Sequence, residues 1–264
     1  MTFHDIFDQM FLLPFLNGLV LAALLPVVGA WVRLREEWLA ALGLAQISAA
    51  GVVLGAIVTE PGAFVALAAA AAAAAVKAFL GRGGRGGNDA YAVMILLGWS
   101  AALIGASVTA HGDELSHALV EGQLYFTGQE QLMGILALAA VAAGLLPWLS
   151  RRLLLGRFFP DHFRANGVPN PHHDVVFDVL AAVTLALAAT AVGIMAAFAL
   201  VFIPPWVAFR VAQGWRRTLV WSAGLGILAY LVAFVAAIRL DQPFGPVLVA
   251  VLLVLALSRS FVRN

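Results

Sequence analysis

The sequence predicts an all-α, polytopic membrane protein, and three observations carry that prediction. Of its 264 residues, 63% are hydrophobic and only 11% charged, with a mean hydropathy of +0.97. Soluble domains carry roughly 25% charged residues, so this chain has too few to cover a surface in water. The apolar residues are also gathered into runs of about 20, the length at which a helix crosses a hydrocarbon core. Those runs do not alternate polar with apolar, as the strands of a membrane barrel do. In lipid each segment must satisfy its own backbone hydrogen bonds, and for runs of this kind the helix achieves that.

Taken in order, the candidate spans lie near 11–31, 38–58, 63–80, 90–110, 130–149, 175–193, 194–212, 218–238 and 244–258. The stretch 175–212 is too long for one span at ~1.5 Å per residue. Gly193 and the pair Pro204–Pro205 offer places to turn or break. Nine spans follow, or eight if that stretch holds one span and a re-entrant piece.

The charges favour nine. With the N-terminus outside, the inside groups are Arg33 and Arg35; Lys77, Arg82 and Arg85; Arg151, Arg152, Arg157 and Arg164; Arg210, Arg216 and Arg217; and Arg259 and Arg263. Of the 15 basic residues only Arg239 is left outside, as the positive-inside rule requires. Asp5, Asp8, Glu60, Asp113, Glu114, Glu121 and Asp241 all fall on the outside. Eight spans would put either the first or the last loops on the wrong side. The whole of 1–264 then reads as one transmembrane domain, with its longest inside loop near 150–174.

Several functions are excluded or disfavoured. There is no cysteine, hence no disulfide and no thiolate metal or redox site. The first basic residue is Arg33, so the positively charged leader of a signal peptide is not expected. The net charge of +1 gives no footprint for nucleic acid. The near-pure alanine stretch 66–75 suits close packing between helices in a membrane. The glycine- and arginine-rich loop 81–87 lacks the Gly-Lys-Ser/Thr ending that grips a nucleotide. No catalytic residue is predicted, and no cofactor is expected on this chain.

Three groups of residues are candidates for function. In the inside loop, Pro160–Asp161 opens a short helix with Asp161 as cap and Gly167 as stop. Phe158, Phe159 and Phe163 give that helix apolar contacts, used either against the membrane surface or against a soluble partner. In the outside loop, His111, Asp113, Glu114 and His117 form either a solvated, helix-capping stretch or a weak metal-receiving site, since Asp113 or Glu114 would share a face with His117 if the stretch is helical. His172–His173–Asp174 is read the same two ways, with Asp174 as helix cap or the group as a metal exit. Within the spans, Asn17, Gln46, Ser48, Ser100, Ser107 and Thr109 line a polar path or bond to nearby backbone. No ionisable side chain lies deep in a span; Lys77 and Asp178 each fall near an inside end. The tryptophans cluster near span ends, as interfacial anchors do.

The order of motifs resembles the membrane-spanning permease of bacterial ABC importers for zinc, manganese and iron. Arg33-Leu-Arg-Glu-Glu-Trp38 leads to Ala49-Ala-Gly51-Val-Val-Leu-Gly55, similar to that family's basic turn and Pro-Gly-Val region. Glu121 to Leu132 resembles its Phe-Gly-Asp-Leu-Leu segment before a span, and Phe158 to Val168 its coupling segment, though with altered spacing. Val192–Gly193 followed by Ile203-Pro204-Pro205-Trp-Val-Ala208, and Asp241-Gln-Pro243-Phe-Gly245-Pro246, resemble its later motifs. The resemblance implies a permease in the bacterial inner membrane, working as a homodimer. It implies two cytoplasmic ABC ATPase chains that hold ATP and magnesium, and a periplasmic metal-binding protein. Phe158, Phe159, Asp161, Phe163 and Gly167 would then contact the ATPase.

One departure from the family stands out. Its second span usually carries Asp-Ala-Leu-Ser-His, whereas here the matching stretch is Leu42-Gly-Leu-Ala-Gln46. Leucine has no lone pair and glutamine is only a neutral acceptor, so the substrate path expected at Leu42, Gln46 and Ser48 offers a dication little in place of its water. The rival readings are a transporter or channel without an ATPase, which should show coupling acids or inverted repeats in the membrane, and a structural anchor subunit.

Overall fold

A computed structural model describes residues 9–57, 65, 67–74, 88–109, 117, 121–159 and 171–261. Eight α-helices are bounded within them: α1 (Gln9–Leu34), α2 (Ala40–Ile57), α3 (Asn88–Ser107), α4 (Gln129–Phe158), α5 (Pro171–Val192), α6 (Ile194–Val211), α7 (Trp215–Leu240) and α8 (Phe244–Phe261). Residues 67–74 are also helical, and a 3-10 turn spans Leu124–Phe126. No strand occurs among the described residues. Helices α1 to α7 are each long and apolar enough to cross a membrane, and α8 is apolar over Phe244–Leu257.

Helices α1 and α6 form the centre. Helix α1 packs on α4, α5, α6 and α7, while α6 packs on α1, α2, α5, α7 and α8. Their crossing has a local cause. Pro205 lacks the N–H that would bond to the Val201 carbonyl one turn back, yet α6 continues through Pro204–Pro205 without a break. The freed Val201 oxygen faces Gly29 of α1, where an added Cβ would strike it. Glycine therefore lets the α1 backbone approach a carbonyl that its own helix leaves unpaired, the setting in which Cα–H···O contacts form.

The long apolar stretch breaks at Gly193 alone, with φ 89° and ψ 156°, a conformation nearly confined to glycine. It separates two full crossings. Asp178, near the start of α5, pairs with Arg35 just past the end of α1, while Phe209, at the end of α6, lies under Arg33 of α1. Both far ends thus meet at the same end of the bundle, so the chain reverses direction at Gly193. A re-entrant piece is excluded there.

The pairing of α2 with α3 settles another part of the topology. Gly43 lies against Tyr91, Gly98 against Gln46, and Gly105 against Val53. Both numbers rise together, so α2 and α3 run parallel. Between Ile57 and Asn88 the chain therefore returns to the end from which α2 started, which accords with the span expected near 63–80. Ala70 and Ala74 of that segment are buried in the main core.

Candidate functional site

One end of the bundle gathers most of the described basic residues, while Arg239, in the last turn of α7, lies at the other. Arg33 lies in the last turn of α1 and Arg35 just past it, Arg151 and Arg152 lie late in α4, Arg210 is in the last turn of α6, and Arg216 and Arg217 open α7. Trp31 and Trp215 meet edge-on at 4.3 Å between ring centroids, which ties the end of α1 to the start of α7. At the opposite end, Gly122 touches Val192 and Gly193, and Gly245 touches Glu121. This partition by charge is the one the positive-inside rule expects.

At the basic end Arg35 is the structural hub. Its guanidinium forms ion pairs with Asp178 Oδ1 at 2.8 Å and with Glu37 at 3.2 Å, with only 13% of its side chain exposed and 4% of the aspartate's. It also lies over the Phe177 ring at 5.0 Å. Burial alone would lower the Arg35 pKa, but the carboxylates of Asp178, Glu37 and Asp174 outweigh it and raise the value, so the charge is retained. Beside it Glu36 adopts φ 62°, and Asn88 bridges the turn. The Asn88 amide donates to the Glu36 carbonyl at 3.0 Å and its oxygen accepts from Leu39 N–H at 3.3 Å. The turn between α1 and α2 is thereby held to the start of α3.

A cavity of about 830 Å³ opens at this end, lined by Arg33, Glu36, Trp38, Asn88, Phe158, Phe202 and Phe209. Phe158 is 63% exposed, and so is Phe159, so both present apolar surface where the inside loop leaves α4. Asp161, Phe163 and Gly167 fall outside the described residues, as do His111, Asp113 and Glu114 at the expected mouth. His117 is described and exposed, with Nδ1 4.0 Å from Glu121 Oε1. Its described neighbour is thus an acid one turn later, which sequence reading did not pair with it. No group of three or more His, Asp or Glu able to hold a metal occurs among the described residues.

The polar residues of the spans do not converge. Ser48 is fully buried and donates to its own helix at Leu44 O, 2.8 Å away. Ser107 and Thr109 bond likewise to carbonyls three or four residues back, and Ser100 is exposed. Asn17 is buried at the opposite end and donates to Thr127, which in turn donates to Leu124 O. Nearby Tyr125 is partly buried, and burial pushes its phenol up to about 12. Gln46 is 7% exposed, its backbone pressed against Gly98, and Leu42 is half-buried on the same helix. His173 lies beside Arg152, ring nitrogen to guanidinium at 2.8 Å, and beside the Trp148 ring.

The bundle defines a multi-pass helical membrane protein whose described basic groups collect mostly at one end and whose crossings are mainly apolar. Residues 8–263 match the ABC 3 transport family, and the chain belongs to that family. No curated protein is significantly similar to it in sequence. Among solved structures it resembles PsaBC from Streptococcus pneumoniae in complex with Fab, with a TM-score of 0.86, 17% identity, and 99% of this chain and 95% of that one covered. It also resembles an inward-facing conformation of a protein assigned to the metal-chelate type of ABC transporter. There the TM-score is 0.78 and the identity 15%, with 98% of this chain and 88% of that one covered. At such identities the likeness is one of fold.

Proposed function

We propose that this chain is the permease subunit of an ATP-driven importer for a transition metal ion (zinc, manganese or iron) or a metal complex, in a bacterial inner membrane. The observation that carries the reading is the family match across nearly the whole chain, supported by motifs in the family's order. Two copies would form the path between them, two cytoplasmic ABC ATPase chains would hold ATP and magnesium, and a periplasmic metal-binding protein would deliver the substrate. A shared path fits the absence of a converging set of polar side chains among the described residues of one copy. Phe158 and Phe159, with Asp161, Phe163 and Gly167 beyond them, would seat the ATPase, whose movements would reach the bundle through the cavity that Phe158 lines.

The path residues Leu42, Gln46 and Ser48 offer a dication weak compensation. Ser48 already spends its proton on Leu44 O, and Gln46 carries no charge. The substrate would therefore travel as a complex, or be collected at the mouth by His111, Asp113, Glu114 and His117. Uptake of radiolabelled zinc, manganese and iron into proteoliposomes containing the assembled transporter tests this. ATP-dependent uptake of one of them is expected, reduced only modestly by Gln46→Leu and more by joint loss of Asp113, Glu114 and His117. Abolition by Gln46→Leu, with normal uptake by the triple variant, would contradict the site assignment.

A further inference from the structure

A second cavity, of about 690 Å³, lies on the side of the bundle between α1, α4 and α7. Its walls are apolar, with Val27 and Trp31 from α1, Ala143, Leu146 and Pro147 from α4, and Leu219 from α7 among them. Its mouth is not. Arg151 and Arg216 stand there from two different helices, both exposed, and no acidic residue is among the lining. Neither arginine has an ionic or hydrogen-bonded partner among the described residues, whereas Arg35 is paired with two carboxylates and Arg152 with His173.

We propose that this groove binds one anionic phospholipid of the inner leaflet, its acyl chain along α4 and its phosphate between Arg151 and Arg216. On α4 and α7, two of the helices that wall the groove, Trp148, Val220 and Trp221 are 59%, 71% and 49% exposed in the single chain, apolar surface suited to contact with lipid. Tryptophans at a span end mark the headgroup level, and Trp148 and Trp221 lie on the two helices that carry the arginines. Two unpaired guanidiniums at that level attract a phosphate. Basic pockets between helices on the cytoplasmic side select anionic headgroups in this way. The volume lies within the range of small-ligand sites, about 300–1,000 Å³.

The test is native mass spectrometry of the purified transporter complex, delipidated in detergent and then offered equal amounts of dioleoylphosphatidylglycerol and dioleoylphosphatidylcholine. The phosphatidylglycerol adduct should survive preferentially. Arg151→Gln with Arg216→Gln should weaken it roughly 30-fold, the weight of two basic residues at an anionic surface. The pair Arg217→Gln and Arg239→Gln changes net charge equally at exposed residues outside the groove, and should leave the adduct intact. Ala143→Trp, which fills the groove without altering charge, should also abolish it. Equal retention of both lipids, an adduct unaffected by the Arg151 and Arg216 changes, or equal loss in the control pair would overturn the proposal. Displacement by millimolar inorganic phosphate would assign the arginines to a free anion instead.

Discussion

Asp178 is buried at 3% exposure and paired with Arg35 across 143 positions of sequence. A buried charge that loses its counter-ion costs far more than the intact pair contributes, because the remaining ion is left without compensation. Arg35 keeps Glu37 at 3.2 Å, so Asp178→Asn should lower stability by about 1.5–3 kcal/mol, the range for a lost contact to a charged group, read as a drop in the thermal unfolding midpoint in detergent. Adding Arg35→Gln should cost less than its effect alone, since the guanidinium has already lost its shortest ion pair and coupled residues do not add. Additive losses would show that the two groups act independently. Sequence reading placed Asp178 at an inside end but could not pair it, because the contact depends on how α5 packs against α1. Arg33 and Arg35 were legible as topology signals and as part of a basic turn, and the structure separates them into a residue over the Phe209 ring and a hub of carboxylates.

At the scale of elements, glycine positions decide how closely helices approach. Gly29 is the sharpest case, since its neighbour is a backbone carbonyl that cannot swing aside as a side chain would. Gly29→Val should force α1 away from α6 and destabilise by about 1–3 kcal/mol, the usual cost of overfilling a packed contact. Gly224, with open space around its α-carbon, is the control; Gly224→Ala should be neutral or slightly stabilising by helix propensity. Equal effects in thermal unfolding would remove the carbonyl contact from the account. The helices themselves were readable, because apolar runs of span length leave little choice in lipid, and so was the break at Gly193. The prolines were a different matter. Pro204–Pro205 reads as a possible break, yet α6 passes through it, and α1 at Gly29 lies against the carbonyl that Pro205 frees.

At the scale of the whole molecule, the charge partition and the parallel course of α2 and α3 together imply an N-terminus outside and a C-terminus inside. The chain has no cysteine, so Thr2→Cys and Asn264→Cys can be labelled without background. An impermeant thiol reagent on intact cells should modify the first and not the second, and the reverse pattern would invert the topology. Much less of the site was legible than of the fold. On the proposed reading a path shared between two copies would leave no constellation within one chain, and Leu42 and Gln46 stand where the resembled family carries an acid and a histidine.

The central claim is that this chain is driven by an ATPase it does not itself contain. The most direct measurement is mass spectrometry of what copurifies with the tagged chain from detergent-solubilised native membranes. An ABC ATPase bearing a Walker motif is the predicted companion, recovered in near-equal amount and lost when Phe163→Asp places a charge in the inside loop. Recovery of the intact chain without any such ATPase, or an ATPase yield unchanged by Phe163→Asp, would contradict the account.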